Sequence, residues 1–112
     1  MTTEIVLKVK PFSVNKAWRG GPRYRTKEYN DWKRVASTYL MGKCNRHKEW
    51  VNLYIWVYTN NFLRSDADNF LKPLQDLLQE YAVIVNDSKV KRIEIEKFQD
   101  KNERIELIIQ DV

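Results

Sequence analysis

The sequence predicts a single α+β domain over residues 1–112, α/β-like in its element order β-α-β-α-β-β, with a mixed four-stranded sheet and two helices. Three observations predict it. Residues 3–10 and 50–59 place apolar side chains at period two. Residues 26–40 and 70–81 place them at helical spacing. Two further strand-like runs close the chain.

In the first strand, Ile5, Leu7 and Val9 share one side, and Pro11 ends the strand or marks an edge. Residues 11–25 carry Pro11, Gly20, Gly21 and Pro22 and read as a loop. Thr26 can cap the first helix, with Glu28 favourable in its first turn. Tyr29, Trp32, Val35, Ala36, Tyr39 and Leu40 form its stripe, and Gly42 and Lys43 suit its end. Residues 50–59 are rich in aromatic and β-branched side chains and read as a central strand. Val51, Leu53, Ile55 and Val57 share one face; Trp50, Tyr54, Trp56 and Tyr58 share the other, so both faces are expected to be covered.

The second helix follows from Phe70, Leu71, Leu74, Leu77, Leu78 and Tyr81. Asp68 or Asn69 as its cap would put Pro73 slightly late, which predicts an irregular start. Residues 90–98 and 103–110, joined by Gln99-Asp100-Lys101-Asn102, carry a hairpin signal. Helical crossovers favour parallel neighbours, and the final hairpin is expected to be antiparallel.

Composition narrows the function classes. The chain is 43% hydrophobic and 31% charged, which is a globular composition. No apolar run is long enough to span a membrane, and Met1-Thr2-Thr3-Glu4 lacks the look of a signal peptide. Cys44 alone makes neither a disulfide nor a zinc site, which points to a reducing cytoplasm. His47, the only histidine, sits between Arg46 and Lys48 and reads as a surface side chain. The net charge is +5, and the stretch 15–48 alone carries +8. Such a concentration is either a solvated face or a footprint for phosphates.

Chemistry concentrates in Arg64-Ser65-Asp66-Ala67-Asp68-Asn69-Phe70-Leu71-Lys72. Two carboxylates two residues apart can converge on one hard cation through oxygen. They stand where a strand gives way to a helix, whose N-terminus favours anions. With the helix starting at Asp68, Lys72 lies one turn further on the same face and can hold a phosphate oxygen. Asp87, between the second helix and the third strand, supplies a third carboxylate. Mg²⁺ with a few carboxylates is a common kit for phosphodiester hydrolysis. Taken singly, each feature has an ordinary alternative. Asp-x-Asp-Asn also makes turns and caps, Lys72 can be a solvated lysine, and Asn86-Asp87-Ser88 can be a turn.

Asp66-Ala67-Asp68-Asn69-Phe70-Leu71-Lys72, with Asn86-Asp87-Ser88-Lys89-Val90 about fifteen residues on, resembles the core of the RusA family of Holliday-junction resolvases. Pro11-Phe12-Ser13-Val14-Asn15 resembles the family's Pro-x-Ser-x-Asn start, so the likeness covers most of the chain. The resemblance implies a homodimer that binds branched, four-way DNA, needs Mg²⁺ or Mn²⁺, and nicks two opposing strands. It implies Asp66, Asp68 and Asp87 as metal ligands, Lys72 as the catalytic cation and Asn69 as a supporting residue. Lys16, Arg19, Arg23, Arg25, Lys27, Lys33 and Arg34 would grip the DNA. The chain departs from the family pattern at Asn86, where a second acid is common, and at Pro73, directly after the lysine. The aromatic row on the sheet is a candidate dimer surface, and Phe62 a candidate for stacking on an opened base. A non-catalytic branched-DNA-binding protein and a flap nuclease are the competing readings.

Overall fold

The computed structural model describes residues 1–13, 26–42, 46–60 and 66–112. Lys16, Arg19, Arg23, Arg25, Cys44 and Phe62 lie outside them. The element order is the expected one: β1 (Thr2–Leu7), α1 (Lys27–Ser37), β2 (Val51–Thr59), α2 (Leu71–Glu80), β3 (Val90–Gln99) and β4 (Arg104–Asp111). Short 3₁₀ turns at Ala67–Phe70 and Asp87–Lys89 precede α2 and β3.

The four strands form one sheet in the order β1-β4-β2-β3. Its register shows why the period-two pattern encodes it. Ile5 faces Leu107, Leu107 faces Ile55, and Ile55 faces Ile95, one apolar row across all four strands. Onto that face pack Ala36 and Leu40 from the first helical region and Leu74, Leu77 and Leu78 from α2. Each Leu, Ile or Val side chain buried there contributes about 1.5–3 kcal/mol over its exposed state.

The final hairpin expected from the sequence does not form. β3 pairs parallel with β2, while β4 pairs antiparallel with β2 and β1, so β2 lies between the two C-terminal strands. The linking residues cross over the end of β2: the Asp100 N–H donates to the Thr59 carbonyl at 3.1 Å. The Thr59 hydroxyl and the Asn60 N–H both donate to Glu103 Oε2 at 3.3 Å. In its central place β2 has Val51, Leu53, Ile55 and Val57 essentially inaccessible. The β2–α2–β3 unit is the expected parallel crossover.

The second sheet face is only half-covered, contrary to the expectation of two covered faces. Tyr54, Trp56 and Tyr58 remain half-buried there. Tyr58 stacks on Phe98 at 5.1 Å, and the Arg104 guanidinium lies 3.7 Å from the Tyr58 ring centroid.

α1 starts where Thr26 predicts, its hydroxyl accepting from the Tyr29 N–H at 3.2 Å. It ends at Ser37, earlier than the apolar stripe suggests. The Ser37 and Thr38 hydroxyls donate to the Arg34 and Val35 carbonyls, each at 2.7 Å, competing with the helical ladder. Tyr39 and Leu40 still pack on the core from the following turn.

His47 is fully buried, which corrects the surface reading. Thr3 Oγ1 lies 2.7 Å from Nε2 and Asp111 Oδ1 2.7 Å from Nδ1, so both ring nitrogens are satisfied. Charged sequence neighbours gave no sign of this, because Arg46 and Lys48 point outward on either side of an inward histidine. Among the described residues, no helix is long and apolar enough to cross a membrane.

Candidate metal and phosphate site

Asp66 opens the 3₁₀ turn in an extended conformation and makes no side-chain cap. The Asn69 N–H donates to the Asp66 carbonyl at 3.0 Å. The Leu71 N–H donates to the Asp68 carbonyl as the chain passes into α2. The expected irregular start is thus a 3₁₀-to-α junction. It sets Pro73 at the third residue of α2, where no helical N–H partner is lost. Asp66 and Asp68 are exposed, and among the described residues their carboxylates have no hydrogen-bond or ion-pair partner. The capping alternative therefore does not account for Asp66.

At the other end of α2 the chain reverses through Ala82, whose φ of 59° is left-handed. The Ala82 N–H bonds the Gln79 carbonyl at 3.1 Å and the Val83 N–H bonds the Leu78 carbonyl at 2.8 Å. This is the paired closure of a Schellman turn. Val83 and Ile84 are then buried, with the His47 N–H donating to the Val83 carbonyl at 2.8 Å. Asn86 caps the next 3₁₀ turn by accepting from the Ser88 N–H at 2.9 Å. Asp87 follows, its own N–H held by the Gln79 side-chain carbonyl at 3.1 Å. The reversal carries Asp87 back along α2.

There it meets Lys72. The Lys72 ammonium lies 4.0 Å from Asp87 Oδ2 and 2.8 Å from Asp76 Oδ1. Asp76 Oδ2 accepts a 2.6 Å hydrogen bond from the Tyr29 hydroxyl of α1. Tyr29 is itself fully buried and stacked on Phe12 at 5.5 Å, next to Trp32. Sequence reasoning missed Asp76, although the i,i+4 spacing of Lys72 and Asp76 is a usable signal.

The structure joins Lys72 to Asp87. Among the described residues Asp66 and Asp68 form no ion pair with Lys72. No group of three His, Cys, Asp or Glu side chains there stands close enough to hold a metal ion. The donor chemistry nonetheless fits a hard divalent cation. Asp66, Asp68 and Asp87 are exposed and offer only oxygen, Asp66 at the cap of the first 3₁₀ turn, Asp68 within it and Asp87 at the start of the second. Asn69 is half-buried between Asp68 and the core residue Phe70.

The basic set divides. Lys27 and Arg34 are exposed on α1, Arg34 only loosely paired with Asp31 at 3.5 Å. Lys33 is 2% exposed, pairs with Glu80 of α2, and lies 4.7 Å from the Tyr29 ring centroid. Its charge is committed within the helix pair, so it leaves the set of expected DNA contacts. Away from the site, the His47 hydrogen bond holds the Asp111 carboxyl below the usual carboxylate range. The Asn102 N–H, with Arg104, does the same for Asp100.

The family model Endodeoxyribonuclease RusA matches residues 8–110. No curated protein matches the chain. The matched span includes every carboxylate and lysine of the site just described.

Proposed function

This chain belongs to the RusA family of endodeoxyribonucleases, which resolve Holliday junctions, and we propose that it does so by paired, symmetric nicks dependent on Mg²⁺ or Mn²⁺. The observation that carries this reading is the meeting of Lys72 with Asp87 at 4.0 Å, one helical turn from a helix start whose two carboxylates have no partner among the described residues. Asp66, Asp68 and Asp87 would hold the metal, which when bound supplies Lewis-acid polarisation of the phosphate and of a water.

Lys72 neutralises charge building on the non-bridging phosphate oxygens in the transition state. An ammonium has three donors, and Asp76 occupies one, so directions remain for a phosphate. Asn69 supports the turn that presents Asp68. Cleavage leaves 5′-phosphate and 3′-hydroxyl ends. Lys27 and Arg34, with Lys16, Arg19, Arg23 and Arg25, hold the junction arms by contacts to phosphate. Two copies related by a two-fold axis present one site to each opposing strand. The half-covered sheet face, with Tyr54, Trp56, Tyr58 and Phe98, is the surface proposed for the second copy. The protein would act in DNA recombination and repair in the cytoplasm.

The test is nicking of a synthetic four-way junction with and without Mg²⁺, beside flap and linear duplex substrates. Metal-dependent paired nicks in the junction, well ahead of the other two, are expected. Binding without cutting in any divalent metal would favour a non-catalytic junction-binding protein, and preference for the flap would favour a flap nuclease.

A further inference from the structure

We propose that Asp76 is a positioning residue for the reaction: pinned by the Tyr29 hydroxyl of α1, it holds the Lys72 ammonium beside Asp87. The inference rests on the reading of Lys72 as the cation that meets the phosphate. A half-exposed lysine on four rotatable bonds samples many positions, and an exposed i,i+4 partner restrains it weakly. Asp76 is not such a partner. Its side chain is 12% exposed and both of its oxygens are engaged, one by Lys72 at 2.8 Å and one by Tyr29 at 2.6 Å. Tyr29 has no freedom of its own. It is fully buried in a cluster with Phe12 at 5.5 Å and Trp32 at 6.5 Å, with Lys33 over its ring. The position of the ammonium is therefore traced back, bond by bond, to the packing of α1 against α2.

Asp76 lies outside the proposed ligand set and bonds Lys72 directly, so its effect runs through the lysine. The same helix that displays Lys27 and Arg34 to solvent supplies Tyr29, which links the seat of α1 to the reacting cation.

Asp76→Asn keeps an acceptor for Tyr29 but removes the charge that holds Lys72. In steady-state nicking of a four-way junction it should lower kcat by about 10- to 100-fold, with KM and melting temperature unchanged. In a Lys72→Ala background the same change should cost less than about twofold, because the residue it acts through is gone. An Asp76→Asn rate within twofold of the parent, or an equal loss in both backgrounds, would overturn the proposal. A Lys72→Ala chain nicking at the parent rate would instead overturn the reading of Lys72, and the proposal with it. Should Asp76→Asn unfold the chain, Tyr29→Phe, which deletes one hydroxyl, should give a several-fold loss of kcat under the same criteria. The metal-free protein offers a readout independent of activity. The ¹⁵N signal of the Lys72 ammonium, identified by its disappearance in Lys72→Arg, should be held out of rapid exchange in the parent and lost in Asp76→Asn. An unchanged signal would contradict the restraint.

Discussion

The Lys72 ammonium stands 4.0 Å from the Asp87 carboxylate, although one belongs to the first turn of α2 and the other to the turn before β3. The left-handed residue Ala82, the buried pair Val83 and Ile84, and the Gln79 bond to the Asp87 N–H together bring them there. Lys72→Ala should lower junction nicking by roughly 10²- to 10³-fold, the usual loss when a preorganised charge is removed from a transition state. Junction affinity measured without divalent metal should fall by less than about tenfold, since one phosphate contact among many is lost. Filter binding and single-turnover nicking check the two halves separately.

Lys33 and its neighbours on α1 should separate cleanly. Lys27→Ala and Arg34→Ala should each reduce the salt slope of junction binding by about one unit, the signature of a lost phosphate contact. Lys33→Ala should leave that slope alone and destabilise the fold instead. The loss should be about 1–3 kcal/mol, moderated because its partner Glu80 stays partly solvated. Urea unfolding and salt titrations of binding decide it. A changed slope for Lys33→Ala would return that lysine to the DNA surface.

Much of this arrangement is legible in the residues, and the failures share one cause. Strands, helices and the Thr26 cap follow from patterns within a few residues. So does the irregular entry to α2, since Pro73 cannot sit deep in a helix. What escapes is partnership across distance. The signal at residues 99–102 marks the break between the two strands, but nothing local says that β2 will lie between them. Lys33 shares the buried side of α1 with Tyr29 and Ala36, yet its partner Glu80 is on the other helix. His47 sits between two cations and is satisfied by Thr3 and Asp111 from the two ends of the chain. At the site, the carboxylates and the lysine are legible because their spacing is short. Tyr29's bond to Asp76 is not, because it joins separate helices.

Ala82 tests the turn that returns Asp87 to α2. An L-residue in the left-handed region carries a penalty that glycine lacks. Ala82→Gly should stabilise the protein by about 1 kcal/mol, with nicking unchanged. Thermal and urea melts measure it, and destabilisation would argue against the left-handed turn.

Asp111 gives a pH signature. Its carboxyl is held below the usual range chiefly by the hydrogen bond to His47, with the charged N-terminus adding to it. Between the folded and unfolded pKa values the unfolded chain binds more protons, so stability rises with pH there. The contribution is complete above the ordinary carboxylate range and is lost as pH falls through the folded-state value. Denaturation curves from neutral pH into acid should show a loss that is shallower in Asp111→Asn. Parallel curves for the two proteins would remove His47–Asp111 as its source.

The most direct measurement is the nicking of a four-way junction by Asp68→Asn in Mg²⁺, with junction binding followed in parallel. One oxygen ligand is weakened and the side chain keeps its shape, so cleavage should disappear while binding persists. Full Mg²⁺-dependent cleavage by Asp68→Asn would contradict the assignment of Asp66, Asp68 and Asp87 as the metal-holding carboxylates.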